Sequence, residues 1–326
     1  MKYLINLSNS KSQLDWFGND YRQMTSFLNN NLLDGIELIF YGSYGFENIP
    51  QGSIQGIHLS FWPIWLDFWR DNKTELLRQF GSLENIELYY GGLDRETMIN
   101  YYRGEFTKAQ EVKANYAVFH VSHAQIEHVY TWDFPYSDWD VLEDTAELVN
   151  KTFGEEDTGV TLLFENLWWP GLTFTEPGLA EDFFNLIKYP RKGFMLDIGH
   201  LMITNRELKD EETACAYILE KIEGLGDLKH YIQGVHLSKS FPGEYLKQDH
   251  SLKREKVQKM EGIWERCMEV RNHVLQIDQH APFEGSCIQR VIEEIDPDYV
   301  VYELVPENFK ELEDGIAIQN KSLGRS

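Results

Sequence analysis

Histidine, aspartate and glutamate side chains stand at the ends of several short apolar segments of this chain. Imidazole nitrogens and carboxylate oxygens together form the ligand set that suits Zn²⁺, Mn²⁺ or Fe²⁺. Carboxylates gathered at one place would repel one another without a cation between them, so their convergence would indicate a metal centre. The candidate ligands are His58, His120, Glu165, Asp197, His200, His236, Asp278, His280 and Glu303.

Two pairs among these candidates have a spacing that favours a shared ion. In Asp197-Ile198-Gly199-His200, the aspartate can end a strand while the histidine turns back across the following loop. In Asp278-Gln279-His280, the alternation of an extended segment would put both side chains on one side. The alternative for the second pair is a surface turn, which the following proline favours.

The candidates need an architecture that brings strand ends together. Eight short segments with strand character alternate with longer helical patterns, which predicts parallel strands closed into a (β/α)8 TIM barrel with extended βα loops. The predicted strands are Tyr3–Leu7, Gly35–Ile39, Gln55–Leu59, Tyr116–Val121, Val160–Glu165, Gly193–Ile198, Tyr231–Leu237 and Tyr299–Leu304. Helical candidates include Tyr21–Asn31, Thr97–Asn115, Trp139–Phe153, Leu179–Ile187, Glu211–Glu223 and Glu284–Ile295.

A closed parallel barrel would direct the carboxyl ends of all its strands to one face, where TIM-barrel enzymes have their active sites. No linker or break in composition divides residues 1–326, so we expect a single domain. Two stretches, 61–90 and 239–273, exceed a minimal barrel. Long segments after strands shape the active-site mouth in this fold, so we expect these two to select the substrate.

The amino-acid composition of the chain limits the classes of molecule that it is expected to bind. A formal net charge of −23 disfavours long nucleic acid, whose affinity depends mainly on Lys and Arg, and favours a small-molecule substrate, either sugar-containing or phosphorylated. The three cysteines lack metal-binding or disulfide spacing, and no segment has the length of a signal or membrane helix. A cytoplasmic protein without a membrane partner is therefore expected.

Three further residues are candidates for substrate binding. Trp168 and Trp169 closely follow Glu165, so we expect their rings to line the pocket. Lys239, just beyond His236, is the best cationic candidate for a substrate phosphate. The alternative for Lys239 is an ordinary solvated loop lysine.

The ordered series of ligands resembles the xylose isomerase-like TIM-barrel superfamily (AP endonuclease family 2), and more narrowly endonuclease IV. That family has a trinuclear zinc site whose ligands are His, His, Glu, Asp-x-x-His, His, Asp-x-His and Glu. The local sequence around two of the ligands also resembles that of the family, in Phe164-Glu165-Asn166 and in the segment from Val235 to Ser240. One departure is the stretch 239–277, which separates the Asp-x-His pair from the preceding histidine and leaves open whether that pair reaches the site.

The resemblance implies up to three divalent ions, most often Zn²⁺, with Mn²⁺ or Fe²⁺ as alternatives. Glu165 would bridge ions, His58 and His120 would hold one of them, and the remaining candidates would complete two further ion sites. Such a cluster would hydrolyse a phosphoester by activating bound water.

An alternative is a mononuclear sugar or sugar-phosphate isomerase or epimerase. The resemblance then implies one ion on Glu165, Asp197, His236 and Glu303, with the two glutamates as catalytic residues that move protons between adjacent carbons. A third hypothesis is a barrel that binds metal and ligand without turnover.

Overall fold

The computed structural model describes residues 1–18, 21–40, 49–50 and 52–325, and its framework is a closed barrel of eight parallel strands. Each strand pairs with its neighbour in sequence, and β1 pairs with β8 to close the barrel. The predicted barrel is confirmed, and the first and last residues of every strand lie within two residues of their predicted positions. The strands are β1 (Lys2–Ser8), β2 (Gly35–Ile39), β3 (Ile54–His58), β4 (Tyr116–His120), β5 (Thr161–Glu165), β6 (Lys192–Asp197), β7 (Ile232–Leu237) and β8 (Tyr299–Tyr302).

Helices surround the barrel and also build its upper rim. The predicted helix over Thr97–Asn115 ends at Glu111, because the chain reverses at Lys113, whose φ is 58°, before it enters β4. The first eight helices are α1 (Lys11–Asp15), α2 (Tyr21–Asn30), α3 (Leu66–Trp69), α4 (Lys73–Phe80), α5 (Leu83–Tyr90), α6 (Glu96–Glu111), α7 (Ile126–Thr131) and α8 (Asp138–Phe153). The remainder are α9 (Pro177–Leu186), α10 (Ile198–Ile203), α11 (Glu211–Gly224), a 3-10 helix (Gly226–Tyr231), α12 (Gly243–Leu246), α13 (Ser251–Gln258), α14 (Ile263–Val274), α15 (Cys287–Ile295) and α16 (Phe309–Ser322).

Large side chains fill the interior of the barrel. The Tyr116 ring occupies the space beside Gly56, where a Cβ atom would stand 2.1 Å from the ring carbon that carries the hydroxyl. Glycine in the middle of β3 is therefore required for the tyrosine to cross the barrel. The inner cluster comprises Leu4, Tyr116, Val118, Leu163, Met195 and Val301.

The two stretches predicted to exceed a minimal barrel lie above its carboxyl-terminal face. The stretch 61–90 contains α3 to α5, and the stretch 239–273 contains α12, α13 and all but the last residue of α14. The guanidinium of Arg266 on α14 donates to the Gln79 carbonyl oxygen over 2.6 Å, and the His273 ring on the same helix contacts the Val129 carbonyl oxygen at 3.3 Å. These contacts fix α14 to the loops after β3 and β4. Among the described residues, no helix has the length and apolarity needed to cross a bilayer.

Candidate metal centre

The alternation of the strands carries the candidate ligands into the barrel. Side chains two positions apart in a strand point to the same side of the sheet. Val118 and Leu163 belong to the inner cluster, so His120 and Glu165, two residues later, also face the interior at its carboxyl-terminal end. The same relation holds for Asp197 after Met195, His236 after Gly234 and Glu303 after Val301.

Glu165 lies at the centre of the site. Its side chain is fully buried, and four imidazole rings surround it. The Nε2 atoms of His58 and His120 are each 3.3 Å from Glu165 Oε2. On the other oxygen, Oε1, His200 Nδ1 approaches to 3.3 Å and His236 Nδ1 to 3.4 Å. Neither carboxylate oxygen has a hydrogen-bond partner among the described residues.

The residues of the best-defined group fit a divalent cation. Ligand atoms of Glu165, Asp197, His236 and Glu303 all lie within 4.8 Å of one another. Each of the four has a buried atom without a hydrogen-bond partner in the described part of the chain: both oxygens of Glu165, Asp197 Oδ2, His236 Nδ1 and Glu303 Oε2. Unsatisfied buried polar atoms are costly and rare in folded proteins, so their convergence indicates a ligand that these atoms share. Three carboxylates and one imidazole suit Mn²⁺, Zn²⁺ or Fe²⁺.

Two further groups of close ligand atoms adjoin the first. One contains His58, His120 and Glu165, and the other contains Glu37, His58 and His236. The rings of His58 and His120 are 4.7 Å apart between centroids. Because Glu165 belongs to two groups, its two oxygens face different sets of ligands.

Asp278 and His280 reach the site despite the long segment that precedes them. An antiparallel bridge between Lys239 and Ala281 brings this segment back beside the end of β7. Asp278 Oδ2 then lies 2.7 Å from His280 Nε2 and 3.2 Å from His200 Nε2. The sequence left open whether this pair reaches the site. In the structure, Asp278 contacts His200 and thereby adjoins the site. Neither Asp278 nor His280 belongs to the groups of close ligand atoms found in the described residues.

Asn166 holds the carboxyl-terminal ends of β5 and β6 together. Its amide donates to the Asp197 carbonyl oxygen over 3.0 Å and accepts from the Asp197 backbone nitrogen over 2.8 Å. Asp197 Oδ1 accepts in turn from the His200 backbone nitrogen and caps α10. These bonds fix one Asp197 oxygen and leave Oδ2 for the centre of the site.

Glu37 is a member of the site that the sequence analysis did not identify. It is fully buried in the middle of β2, and its Oε1 lies 3.0 Å from His236 Nε2. The Tyr116 hydroxyl donates to the other carboxylate oxygen over 2.9 Å. A glutamate inside the apolar strand Gly-Ile-Glu-Leu-Ile needs a buried partner, and that was the signal available in the sequence. Because Glu37 contacts the Nε2 atom of His236, the other ring nitrogen, Nδ1, faces Glu165 and Glu303.

We expect Glu37→Gln to weaken metal binding by about tenfold or more, since outer carboxylates that orient a ligating histidine contribute about 10–100-fold in affinity. Competition with a chelating dye would measure this change. Tyr116→Phe is the matched control, because it removes another hydrogen bond to the same carboxylate but leaves the contact with His236. Equal affinity of Glu37→Gln and the wild type would remove Glu37 from this role.

Burial and opposite charges shift the pKa values within the site in opposing directions. Burial alone would lower the pKa of His58, but Glu165 outweighs it and raises the value to about 9. For His280, burial is likewise outweighed by Asp278, and the pKa rises to about 10. Burial raises the pKa of Asp197 well above its ordinary value, and the charges of Glu303 and Glu165 raise it further. Carboxylates that share a site without a cation have this effect on one another.

Metal affinity should therefore increase with pH. The pKa of His236 also lies well above 6.5, because Glu37 and Glu303 outweigh the effect of burial. A raised pKa favours the doubly protonated ring in the metal-free protein, and a ligating imidazole must release the second proton. Affinity should rise about tenfold per pH unit for each proton released between pH 6 and 8. Calorimetry in buffers of different ionisation enthalpy would count the protons, and a count of zero would contradict this assignment.

The structure places the ammonium group of Lys239 in ion pairs with glutamates. Its Nζ contacts Glu211 Oε1 at the start of α11, and it lies 3.1 Å from Glu284 Oε1. Glu211 also accepts from the backbone nitrogens of Glu284 and Gly285. Lys239 is not among the residues that line the pocket at the metal centre. Binding of a substrate phosphate by Lys239 would require it to leave these partners.

We expect Lys239→Met to lower stability by about 1–3 kcal/mol, because it leaves the half-buried Glu211 without its cation. Catalytic constants should change little. Thermal unfolding and steady-state kinetics would measure the two effects, and the Lys239→Met/Glu211→Gln double variant should recover part of the stability. A large rise in KM that is confined to phosphorylated substrates would restore the phosphate-binding role.

An apolar pocket of about 660 Å³ adjoins the candidate metal centre. His120, His200 and Asp278 form its inner end, and Trp168 and Trp169 lie in its wall, as the sequence led us to expect. The Trp168 ring meets the His200 ring edge to face, with centroids 4.9 Å apart. The two tryptophans thus lie between the proposed ligands and the wider part of the pocket.

Comparisons with known proteins identify the fold. No protein-family model matches the chain, and no curated protein matches it. Among solved structures, a D-tagatose 3-epimerase-like protein matches with a TM-score of 0.54 and 15% identity, over 99% of this chain and 97% of that chain. An L-ribulose 3-epimerase matches with a TM-score of 0.54 and 12% identity, over 98% and 93%. The IolI protein with a bound zinc atom matches with a TM-score of 0.53 and 13% identity, over 99% and 96%.

At these identities the likeness shows the fold. It confirms the expectation of a TIM barrel. The narrower resemblance to endonuclease IV is not shown by these structures.

Proposed function

We propose that the chain is a metal-dependent sugar isomerase or epimerase with one divalent ion held by Glu165, Asp197, His236 and Glu303. The observation that carries this proposal is the convergence of buried ligand atoms without hydrogen-bond partners among the described residues. The fold shared with sugar 3-epimerases supports the isomerase alternative better than phosphoester hydrolysis, which the sequence alone put first.

In this function, the bound ion would polarise a carbonyl group and an adjacent hydroxyl group, which makes the neighbouring C–H bond more acidic. The protein then needs groups that accept this proton and return it. Glu165 Oε1 lies 3.4 Å from His236 Nδ1, and Glu303 Oε2 lies 3.2 Å from it. The pKa values of both carboxylates are held well below the ordinary range. In each case burial raises the value, and the surrounding histidines outweigh it. Both side chains are therefore ionised, which is the state that a general base requires before it accepts a proton.

The remaining buried groups position these carboxylates. Glu37 orients the His236 ring, and Asn166 fixes the end of β6 beside Glu165. His200 lies between Glu165 and Asp278 at the inner end of the pocket, and its two ring nitrogens contact these two carboxylates. The wall of the adjoining pocket is mainly apolar.

The test is incubation of the metal-loaded protein with a panel of ketopentoses, ketohexoses and aldoses, followed by chromatography of the sugars. We expect conversion of at least one sugar to its isomer or epimer, and no conversion after the metal has been removed with a chelator. Absence of conversion across the panel, together with hydrolysis of phosphoesters or incision of abasic DNA, would overturn the proposal.

A second candidate is hydrolysis of a phosphoester by more than one ion. The group of His58, His120 and Glu165 favours it, because it shares Glu165 with the four-residue group and would suit an ion of its own. Metal content distinguishes the two candidates, since the isomerase needs one ion and the hydrolase needs at least two.

A further inference from the structure

Two of the three cysteines of the chain meet away from the metal centre. Cys215 lies in α11, and Cys287 is the first residue of α15, the helix that packs beside α11. Their Sγ atoms are 2.7 Å apart. Heavy atoms without a bond between them pack at about 3.5–4.0 Å, so the two sulfur atoms lie closer than packing alone would bring them. Because 72 positions separate the two residues, no local spacing in the sequence indicates this pair.

The surroundings of the two thiols leave them facing each other. Cys215 is 3% exposed, and Cys287 is partly exposed. Cys287 Sγ also lies 3.5 Å from the carbonyl oxygen of Glu211, which is one helical turn before Cys215. Neither cysteine belongs to a group of close metal-ligand atoms in the described part of the chain. A disulfide carries neither a charge nor a hydrogen-bond donor, so it suits this position between two helices.

We propose that Cys215 and Cys287 form a modification site, at which a low-molecular-weight disulfide converts the two thiols into a disulfide bond between α11 and α15. Cys287 reacts first, because its side chain is the more exposed of the two. Its thiolate attacks one sulfur of the small disulfide, whose S–S bond breaks and releases one small thiol. The Cys215 thiolate then attacks the Cys287 sulfur of the mixed disulfide and displaces the second small thiol. The protein thiols thereby lose two protons and two electrons, and the small disulfide gains them.

The bond would close a loop around the insertion that bounds the pocket. The loop contains β7 and α12 to α14. Of these elements, α14 contributes Cys267 and Val270 to the pocket wall. A cross-link restricts the unfolded chain more than the folded one, so oxidation should raise the unfolding temperature by about 5 °C. The modification is independent of the proposed function, because it involves neither the metal centre nor a substrate.

The test is titration of the metal-loaded protein with oxidised glutathione, followed by alkylation of the remaining thiols and mass spectrometry of the protein and its peptides. We expect the intact protein to lose two hydrogen atoms and to yield linked peptides that contain Cys215 and Cys287. Burial raises the pKa of both thiols, so both are protonated at neutral pH. The rate should therefore rise by about tenfold per unit between pH 7 and 9, because the thiolate is the nucleophile.

The matched control is Cys267→Ser, which removes the third cysteine and should form the same linked peptides. Cys215→Ala should stop at the mixed disulfide, so that Cys287 retains one glutathione. Wild-type protein that retains glutathione on Cys287, or in which Cys215 and Cys287 are both still alkylated as free thiols, would overturn the proposal. Linked peptides that contain Cys267 would also contradict it. Linkage of Cys215 to Cys287 without a rise in the unfolding temperature would refute the stabilising effect and leave the modification site standing.

Discussion

Glu165→Gln is expected to abolish metal binding. Both oxygens of Glu165 are buried, four imidazole nitrogens lie within 3.4 Å of them, and neither has a hydrogen-bond partner in the described residues. An amide would remove the central negative charge and one ligand oxygen. We expect affinity to fall by more than the roughly 10–100-fold that loss of an outer partner costs, so that the ion is lost during gel filtration. Elemental analysis of the purified protein would measure the metal content.

A matched control for this variant is Glu105→Gln. Glu105 is also a buried glutamate, and burial raises its pKa, but it accepts hydrogen bonds from Ser60 and belongs to no candidate ligand group. Its substitution should leave metal content unchanged. If Glu165→Gln retained a full equivalent of metal, with a folded circular dichroism spectrum, Glu165 would not be the central ligand.

Glu303→Gln is expected to lower kcat by about 10²–10⁴-fold, which is the usual contribution of a positioned acid or base. Glu303 Oε2 is buried, and its contact in the described part of the chain is the ion pair with His236 Nδ1 at 3.2 Å; it has no hydrogen-bond partner there. When His236 Nδ1 binds the ion, this carboxylate can face a proton of the substrate. In D₂O the wild type should introduce deuterium at the carbon that is epimerised, and the variant should introduce almost none. Mass spectrometry of the sugar would measure both.

The comparison variant for Glu303 is Asp197→Asn, which removes a ligand that has no proposed role in proton transfer. Both variants would be assayed at saturating metal, so that weaker binding of the ion does not obscure the result. Glu303→Gln should be the slower by at least about tenfold. Equal rates would restrict Glu303 to holding the ion.

The barrel could be predicted from the sequence because strand periodicity and strand ends are local features. His120 and Glu165 end apolar segments, and closure of a parallel barrel is sufficient to bring such ends together. The positions of Asp278 and His280 depended on where a long insertion returns, which is decided by the bridge between Lys239 and Ala281. No local pattern encodes that pairing.

Contacts between distant residues account for what the sequence did not reveal. Glu37 lies in mid-strand, and its partner His236 is 199 residues away, so only its burial marks it as part of the site. Lys239 follows a candidate ligand, but Glu211, 28 residues earlier in the chain, binds its ammonium group. The apolar wall that α14 contributes depends on tertiary anchors at Arg266 and His273.

The most direct test of the central claim is an anomalous difference map of crystals grown from Zn²⁺- or Mn²⁺-reconstituted protein. We expect one strong peak, enclosed by Glu165, Asp197, His236 and Glu303. No peak among these four side chains would contradict the account. Three peaks of similar height, with others beside His58 and His120 and beside Asp278 and His280, would also contradict it and would restore phosphoester hydrolysis as the leading function.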